Sequence, residues 1–253
     1  MSSPYRLGVV AYLNARCLIY QFQENPRPDL QLVEDVPSRL TDQLVAGELD
    51  AGIISSIECF RHPELEHLET LGIACTGAVL SVKLFARAPL DRVQTVALDT
   101  SSRTAAALTR ILFAERWGGD PEFVSSPPDL NAMLSRCDAA LLIGDPALRI
   151  ESDIQRHDLG SEWLEHTGLP FVYAIWAGRP GVFGSGLGRR LEEAERYGSR
   201  HIEEIVQKEA HPRAIGLPLC RTYLSQVIRH RLTADDREGL ARYLESARRL
   251  GLL

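Results

Sequence analysis

Cysteine is scarce in this sequence, and none of its five cysteines belongs to a C-x-x-C pair. An odd number of unpaired cysteines favours neither a disulfide framework nor a zinc ribbon. Lysine is scarcer still, since Lys83 and Lys208 are the only two. Any charged contact with an anion is therefore expected from an arginine fork or from backbone N–H groups.

Long hydrophobic runs are also missing, because no apolar stretch approaches the roughly 18 residues of a membrane span. The first residues show no basic segment followed by an apolar one, so no signal peptide is predicted. Basic charge is not in excess: the net charge is -6, which disfavours non-specific nucleic-acid binding. These features predict a reduced, cytoplasmic protein without nucleic-acid or membrane partners, as a monomer or weak homodimer.

The composition is that of an ordinary globular protein, with 253 residues, 45% hydrophobic and 25% charged. This length suits one large domain or two small ones. It also buries enough surface to fold without a metal or a disulfide.

Two segments of the chain carry the same β-α-β-α-β pattern of apolar residues. The first has strands at 5–12, 31–36 and 50–54 and helices at 15–22 and 37–47. The second has strands at 95–98, 122–124 and 138–143 and helices at 103–117 and 129–135. Equivalent residues lie 88 positions apart: Gly8 and Val96, Asn14 and Ser102, Asp50 and Asp138. The pattern predicts two α/β lobes with a pseudo-repeat; the alternative is ordinary α/β alternation.

The remaining segments complete this two-lobed prediction. Strands at 78–87 and 170–177 are expected to connect the lobes, and helices are predicted at 187–210, 222–231 and 233–250. We expect residues 1–88 and 178–253 to form lobe 1, with the helical C-terminal tail packed on it. Residues 89–177 form lobe 2, and a cleft between lobes is the expected ligand site.

All but one of the candidate site residues lie at the carboxyl ends of predicted strands, where parallel α/β sheets bind ligands. The exception is Ser81, which lies within the predicted strand 78–87. The candidate side chains are mostly neutral hydroxyls and amides, with one arginine. Two of the strand ends face helix N-termini, where an anion is favoured. The expected ligand is a small carboxylate or phosphate. The candidates are Tyr12, Asn14, Ser55, Ser56, Ser81, Thr100, Ser101, Ser102, Arg103, Thr104, Gly144 and Asp145. The alternative role is helix capping for the hydroxyls at 101–104 and strand termination for those at 55–56.

Several chemical signatures are missing from the sequence. It contains no G-x-S-x-G, no H-E-x-x-H, no helical i, i+4 histidine pair and no dinucleotide fingerprint. We therefore predict no metal and no organic cofactor. Taken alone, the residues predict a two-lobed binder of a small anion and leave open whether it is an enzyme.

Five segments together resemble a known enzyme family. They are Val10-Ala11-Tyr12-Leu13-Asn14, residues 47–58, residues 98–104, and residues 158–163 with 167–172. These segments are similar to the chorismate dehydratases, the first enzymes of the futalosine route to menaquinone. One departure is that Arg16-Cys17-Leu18 stands where the family usually has a Pro-Leu pair.

The resemblance implies a periplasmic-binding-protein type II fold used as a cytoplasmic lyase. The implied reaction is the cofactor-free dehydration of chorismate, a dicarboxylate, to 3-(1-carboxyvinyloxy)benzoate. Asn14 is implied as the catalytic residue and the other candidates as substrate-binding. No strong side-chain base stands in the matched segments, so the proton acceptor is either an unidentified side chain or the substrate's enolpyruvyl carboxylate.

Two alternative functions remain open at this point. The sister enzyme, 1,4-dihydroxy-6-naphthoate synthase, shares the fold and places a histidine base where Gly144 stands here. A non-catalytic protein that binds a small carboxylate would also share the fold.

Overall fold

The computed structural model describes residues 4–253. Its strands are β1 (Tyr5–Val10), β2 (Leu30–Asp35), β3 (Ala51–Ser55), β4 (Glu66–Cys75), β5 (Val82–Ala86), β6 (Thr95–Asp99), β7 (Glu122–Ser126), β8 (Ala139–Ile143), β9 (Gln155–Asp158), β10 (Phe171–Gly178) and β11 (Arg229–Arg231).

The α-helices separate the strands and fill the C-terminal part of the chain. They are α1 (Arg16–Glu24), α2 (Pro37–Val45), α3 (Glu58–Arg61), α4 (Arg103–Leu112), α5 (Leu130–Leu134), α6 (Gly144–Arg149), α7 (Leu159–Thr167), α8 (Leu187–Arg200), α9 (Ile202–Glu209), α10 (Leu217–Thr222) and α11 (Ala234–Arg249). A 3₁₀ turn at Leu13–Ala15 precedes α1, and π-helical turns at Phe113–Trp117 and Tyr223–Val227 extend α4 and α10.

The chain divides into two compact units. The first contains the described residues up to Ala74 together with Val172–Thr233. The second contains Cys75–Phe171 and Ala234–Leu253.

The first unit is built on a six-stranded sheet in the order β11-β4-β10-β3-β1-β2. Strand β1 pairs in parallel with β2 and β3, and β10 runs antiparallel to β3. Both β3 and β10 are buried along their whole length. This agrees with their nearly continuous apolar sequences, which suit strands covered on both faces.

The second unit is built on a five-stranded sheet in the order β7-β6-β8-β5-β9. Strand β6 pairs in parallel with β7 and β8, and β5 runs antiparallel to β8. The three parallel strands therefore repeat the order β2-β1-β3 of the first unit. This shared order confirms the predicted pseudo-repeat.

Several elements of the fold differ from the sequence prediction, and α3, α6, α7 and β9 have no predicted counterpart. Strand β4 was not predicted, because its first half is polar and partly exposed while only its second half is buried. The helix predicted at 187–210 is two helices that break at His201. The helix predicted at 222–231 ends in a π turn, and the last three of its residues form β11 on the edge of β4.

The last helix, α11, lies in the second unit, whereas the helical tail was expected on the first lobe. The Tyr243 ring lies edge-on to Phe171, with 5.0 Å between centroids, and its hydroxyl donates to the carbonyl of Thr104 at 3.1 Å. Gly239 allows this close approach, because a Cβ there would lie 2.1 Å from the carbonyl oxygen of Pro170. Helices α8–α10 belong to the first unit.

Candidate functional site

The carboxyl ends of β1 and β3 form the candidate edge of the first unit. These strands are parallel neighbours, with Leu7 opposite Ala51 and Gly8 opposite Gly52. Asn14 lies in the 3₁₀ turn that follows β1, and Ser55 is the last residue of β3. The parallel pairing therefore brings these two predicted residues to the same edge of one sheet.

Asn14 does not act as a helix cap. Neither the 3₁₀ turn nor α1 has a side-chain cap hydrogen bond, and the N-cap of α1 is Ala15. The Asn14 Oδ1 atom is buried and has no hydrogen-bond partner among the described residues. An unsatisfied buried acceptor costs roughly 1–3 kcal/mol, a cost that a ligand donor can remove.

Ser55 is the second residue of this edge whose polar atom lacks a partner. Its Oγ is buried and unpaired among residues 4–253, and the residue is 1% exposed. On β10, Ala174 lies opposite Ser55, and Trp176 follows two positions later on the same face. The indole Nε1 of Trp176 is also buried and has no hydrogen-bond partner among residues 4–253. Two unsatisfied groups on the same face of neighbouring strands are unusual in a core, where buried polar atoms are normally paired.

Ser56 is placed differently from its neighbour. Its hydroxyl donates to the carbonyl of Val172 at 2.8 Å, and its backbone N–H donates to the carbonyl of Tyr173. This hydroxyl hydrogen bond connects the end of β3 to β10. This geometry supports the strand-termination role better than the predicted contact with an anionic ligand, which needs a donor.

The backbone carbonyl of Asn14 contacts a buried histidine that the sequence did not indicate as a site residue. The ring Nε2 of His230 lies 2.7 Å from the backbone carbonyl oxygen of Asn14, so that nitrogen carries the proton and donates. Burial lowers the pKa of His230, and the neutral ring keeps the donor that the carbonyl needs. His230 was missed because residues 222–231 were predicted to be helical, whereas it lies in β11.

The turn between β1 and α1 is also anchored by arginines. Buried Arg16 donates to the carbonyl of Ala11 at 2.7 Å and makes a two-pronged contact with the Glu34 carboxylate at 3.0 and 2.8 Å. Arg213 donates to the same Ala11 carbonyl at 2.9 Å. Arg16 therefore fixes the turn between β1 and α1 by hydrogen bonds.

The candidate edge of the second unit gathers the ends of β6 and β8 with the start of β5. Because β5 is antiparallel to β8 and Val82 lies opposite Ile143, Ser81 lies beside Gly144. The Gly144 N–H donates to the Ser81 carbonyl at 2.8 Å. Ser81, Gly144 and Asp145 are buried, and Gly144 has a φ of +70°.

Asp99 organises this edge from inside the sheet. One carboxylate oxygen accepts from the backbone N–H of Ser101 at 2.8 Å, and the other accepts from that of Ile143 at 3.1 Å. Burial raises the pKa of Asp99, and the two hydrogen bonds oppose that rise. The carboxylate thereby joins the turn after β6 to the end of β8.

The predicted residues at the start of α4 have different surroundings. Ser102 is the N-cap of α4, since its Oγ accepts from the backbone N–H of Ala105 at 3.3 Å. Ser101 and Thr104 are buried, Arg103 is half-buried, and Thr100 is exposed. The capping alternative thus applies to Ser102, whereas Arg103 places a guanidinium on the first residue of the helix.

Histidines and carboxylates form pairs in the second unit and no metal-binding group. His157 Nδ1 lies 3.0 Å from Glu162, and His166 Nε2 lies 3.0 Å from Glu115. Hydrogen bonds from His157, Arg116 and Trp117 outweigh burial and lower the pKa of Glu162 to about 2. Within residues 4–253, no three His, Cys, Asp or Glu side chains are grouped so as to hold a metal ion. None of the helices described there is both long and apolar enough to cross a membrane.

Comparisons with known proteins agree over almost the whole chain. A family model described as menaquinone biosynthesis matches residues 5–249. The chain is 30% identical to a chorismate dehydratase from Thermus thermophilus, covering 96% of this chain and 95% of that protein.

Solved structures show the fold. A protein from Archaeoglobus fulgidus superposes with a TM-score of 0.81 at 18% identity, covering 98% of each chain. The periplasmic aliphatic sulphonate binding protein from Escherichia coli gives a TM-score of 0.65 at 16% identity, covering 100% of this chain and 94% of that one. The fold is thus that of the periplasmic binding proteins, as the resemblance implied.

Proposed function

Since the chain belongs to the menaquinone-biosynthesis family, we propose that it is a chorismate dehydratase that makes 3-(1-carboxyvinyloxy)benzoate. The observation that carries the proposal is the full-length similarity to a protein of that activity. The polar strand ends of each unit are compatible with it, because they offer neutral donors and one arginine to a carboxylate substrate.

The reaction removes the ring C3 proton and the C4 hydroxyl of chorismate, and the two leave as one water molecule. The C3–H bond is conjugated with the ring carboxylate, so donors to that carboxylate stabilise the developing dienolate. Loss of the C4 hydroxyl makes the ring aromatic, which drives the reaction forward. The protein therefore needs to orient the substrate, stabilise charge and exclude water.

Asn14 is the residue to which we assign the chemical step. Its amide can donate and accept at once, and its buried Oδ1 has no partner among the described residues. We assign it to hold the departing C4 hydroxyl or to fix the enolpyruvyl carboxylate against the C3 hydrogen. In the second case that carboxylate takes the proton.

Arg103, Thr104 and the hydroxyls beside them bind a substrate carboxylate in this proposal. The guanidinium supplies charge-assisted hydrogen bonds at the start of α4, where the helix dipole also favours an anion. Ser81, Gly144 and Asp145 shape the neighbouring strand ends. The protein acts in the cytoplasm on a small dicarboxylate, as a monomer or weak homodimer.

Gly144 argues against the naphthoate synthase alternative. Its φ of +70° lies in the left-handed region, which glycine enters freely and other residues enter with strain. A histidine base at this position would require that strain or a different backbone.

Removal of metal ions should leave the activity unchanged. The elimination involves no redox step, and aromatisation supplies its driving force. We expect chelator-treated, dialysed protein to convert chorismate at the rate of untreated protein. The rate is measured as the increase in the absorbance of the benzoate product. A loss of rate that one added metal ion restores would contradict the cofactor-free mechanism.

A further inference from the structure

Leu80 has a strained backbone next to a predicted substrate-binding residue. Its φ is +63°, and Leu80 and Ala214 are the only residues other than glycine with positive φ in the described chain. The left-handed conformation is strained for a residue that carries a Cβ. Ser81 follows it directly, so whatever holds Leu80 also determines where Ser81 lies.

The Asp158 carboxylate holds Leu80 in this conformation. One oxygen, Oδ2, accepts from the Leu80 N–H at 2.7 Å. The other, Oδ1, accepts from the N–H groups of Val79, Gly160 and Ser161 at 2.9, 3.0 and 3.2 Å. Asp158 thus caps α7 with one oxygen and fixes Leu80 with the other.

The contact continues to the end of β8. The carbonyl of Ser81 accepts from the N–H of Gly144 at 2.8 Å, and Ser81 itself is 2% exposed. Burial raises the pKa of Asp158, and the four N–H donors oppose that rise. Burying this carboxylate is unfavourable, and its hydrogen bond holds Leu80 in a strained backbone conformation. Backbone strain of this kind is concentrated at functional sites, which favours a positioning role for Asp158.

We propose that Asp158 is a positioning residue for the dehydration: by holding Leu80 in the left-handed conformation, it fixes Ser81 and, through Ser81, Gly144. The inference rests on the proposed function, because it takes Ser81 and Gly144 as substrate-binding residues. The competing explanation is that Asp158 only caps α7. The two roles use different oxygens, so one substitution can separate them.

Asp158→Asn is the separating substitution. An asparagine oxygen in the Oδ1 place keeps the contacts with Val79, Gly160 and Ser161, while its NH₂ group faces the Leu80 N–H, donor against donor. We expect kcat/KM for chorismate to fall by on the order of 10²-fold, the cost of misplacing a binding group by about 1 Å. Adding Leu80→Gly should restore part of the activity, since glycine adopts positive φ without strain even though its N–H still faces the NH₂ group.

Two further variants act as controls. Asp129→Asn changes the cap of α5, which accepts from Ala132 at 3.0 Å in the same unit, and should leave kcat/KM at the wild-type value. Leu80→Val keeps Asp158 and every cap but disfavours positive φ, because its side chain is β-branched. It should lower kcat/KM in the same direction, and it carries the test if Asp158→Asn does not fold.

A readout that needs no turnover separates this inference from the proposed function. Amide hydrogen exchange at Gly144 should be slow in the wild type, faster in Asp158→Asn, and slow again in the double variant with Leu80→Gly. If the wild-type protein does not convert chorismate but the variants show this exchange pattern, the proposed function is refuted and the positioning role of Asp158 is retained. Wild-type kcat/KM in folded Asp158→Asn, or a loss that Leu80→Gly does not recover, would overturn the positioning role.

Discussion

Asn14→Asp lowers kcat for chorismate by on the order of 10²–10³, the cost of losing one well-placed donor at a developing charge. The new carboxylate cannot donate, and it places a negative charge beside a dianionic substrate. The Asn14 side chain makes no cap hydrogen bond to lose, so secondary structure should be retained. Steady-state kinetics with circular dichroism of the same samples measures both effects.

Two companion variants test whether the loss of kcat comes from the missing amide at residue 14 rather than from an added charge in general. Asn14→Ala removes the amide without adding charge, and it should also lose most of its turnover. Asn25→Asp makes the same chemical change at an exposed residue just after α1, and it should turn over like the wild type. A folded Asn14→Asp protein that keeps more than about a tenth of wild-type kcat, short of the expected range, would refute the assignment of Asn14.

Arg103→Ala is expected to raise KM for chorismate about 10- to 100-fold, because charge-assisted hydrogen bonds contribute roughly 1.5–3 kcal/mol. Arg103 is the first residue of α4 and is half-buried. The effect should fall mainly on KM if the guanidinium binds a carboxylate equally in the ground and transition states.

The matched control for Arg103 is Arg136→Ala, an exposed arginine in the same unit. Its KM and kcat should equal those of the wild type. Arg103→Lys keeps a charge but loses the two-pronged geometry, so its KM should lie between the wild-type and alanine values. If Arg103→Ala leaves both constants unchanged, Arg103 is an ordinary helix residue.

The parallel cores of both sheets were predictable from the sequence because their signals are local. Apolar runs at 50–54 and 138–143 indicated the buried strands β3 and β8, and the spacing of 88 residues indicated the repeat. The strand-end candidates followed, because the carboxyl ends of parallel strands meet at one edge.

Long-range partners could not be read from local patterns. The start of α11 was predicted from its capping residues, but Tyr243 packs against Phe171, far away in sequence. His230 was hidden in a predicted helix, and its contact with the Asn14 carbonyl spans most of the chain. Asp158 was noted as part of a resembling segment, yet its hydrogen bond to Leu80 depends on the pairing of β5 with β9.

The most direct test of the proposed function is to identify the product. Purified protein incubated with chorismate should yield one compound that is lighter than chorismate by one water molecule and that keeps the enolpyruvyl ether on an aromatic ring, as mass spectrometry and proton NMR would show. Binding of chorismate without conversion, or release of pyruvate in place of water, would contradict the assignment.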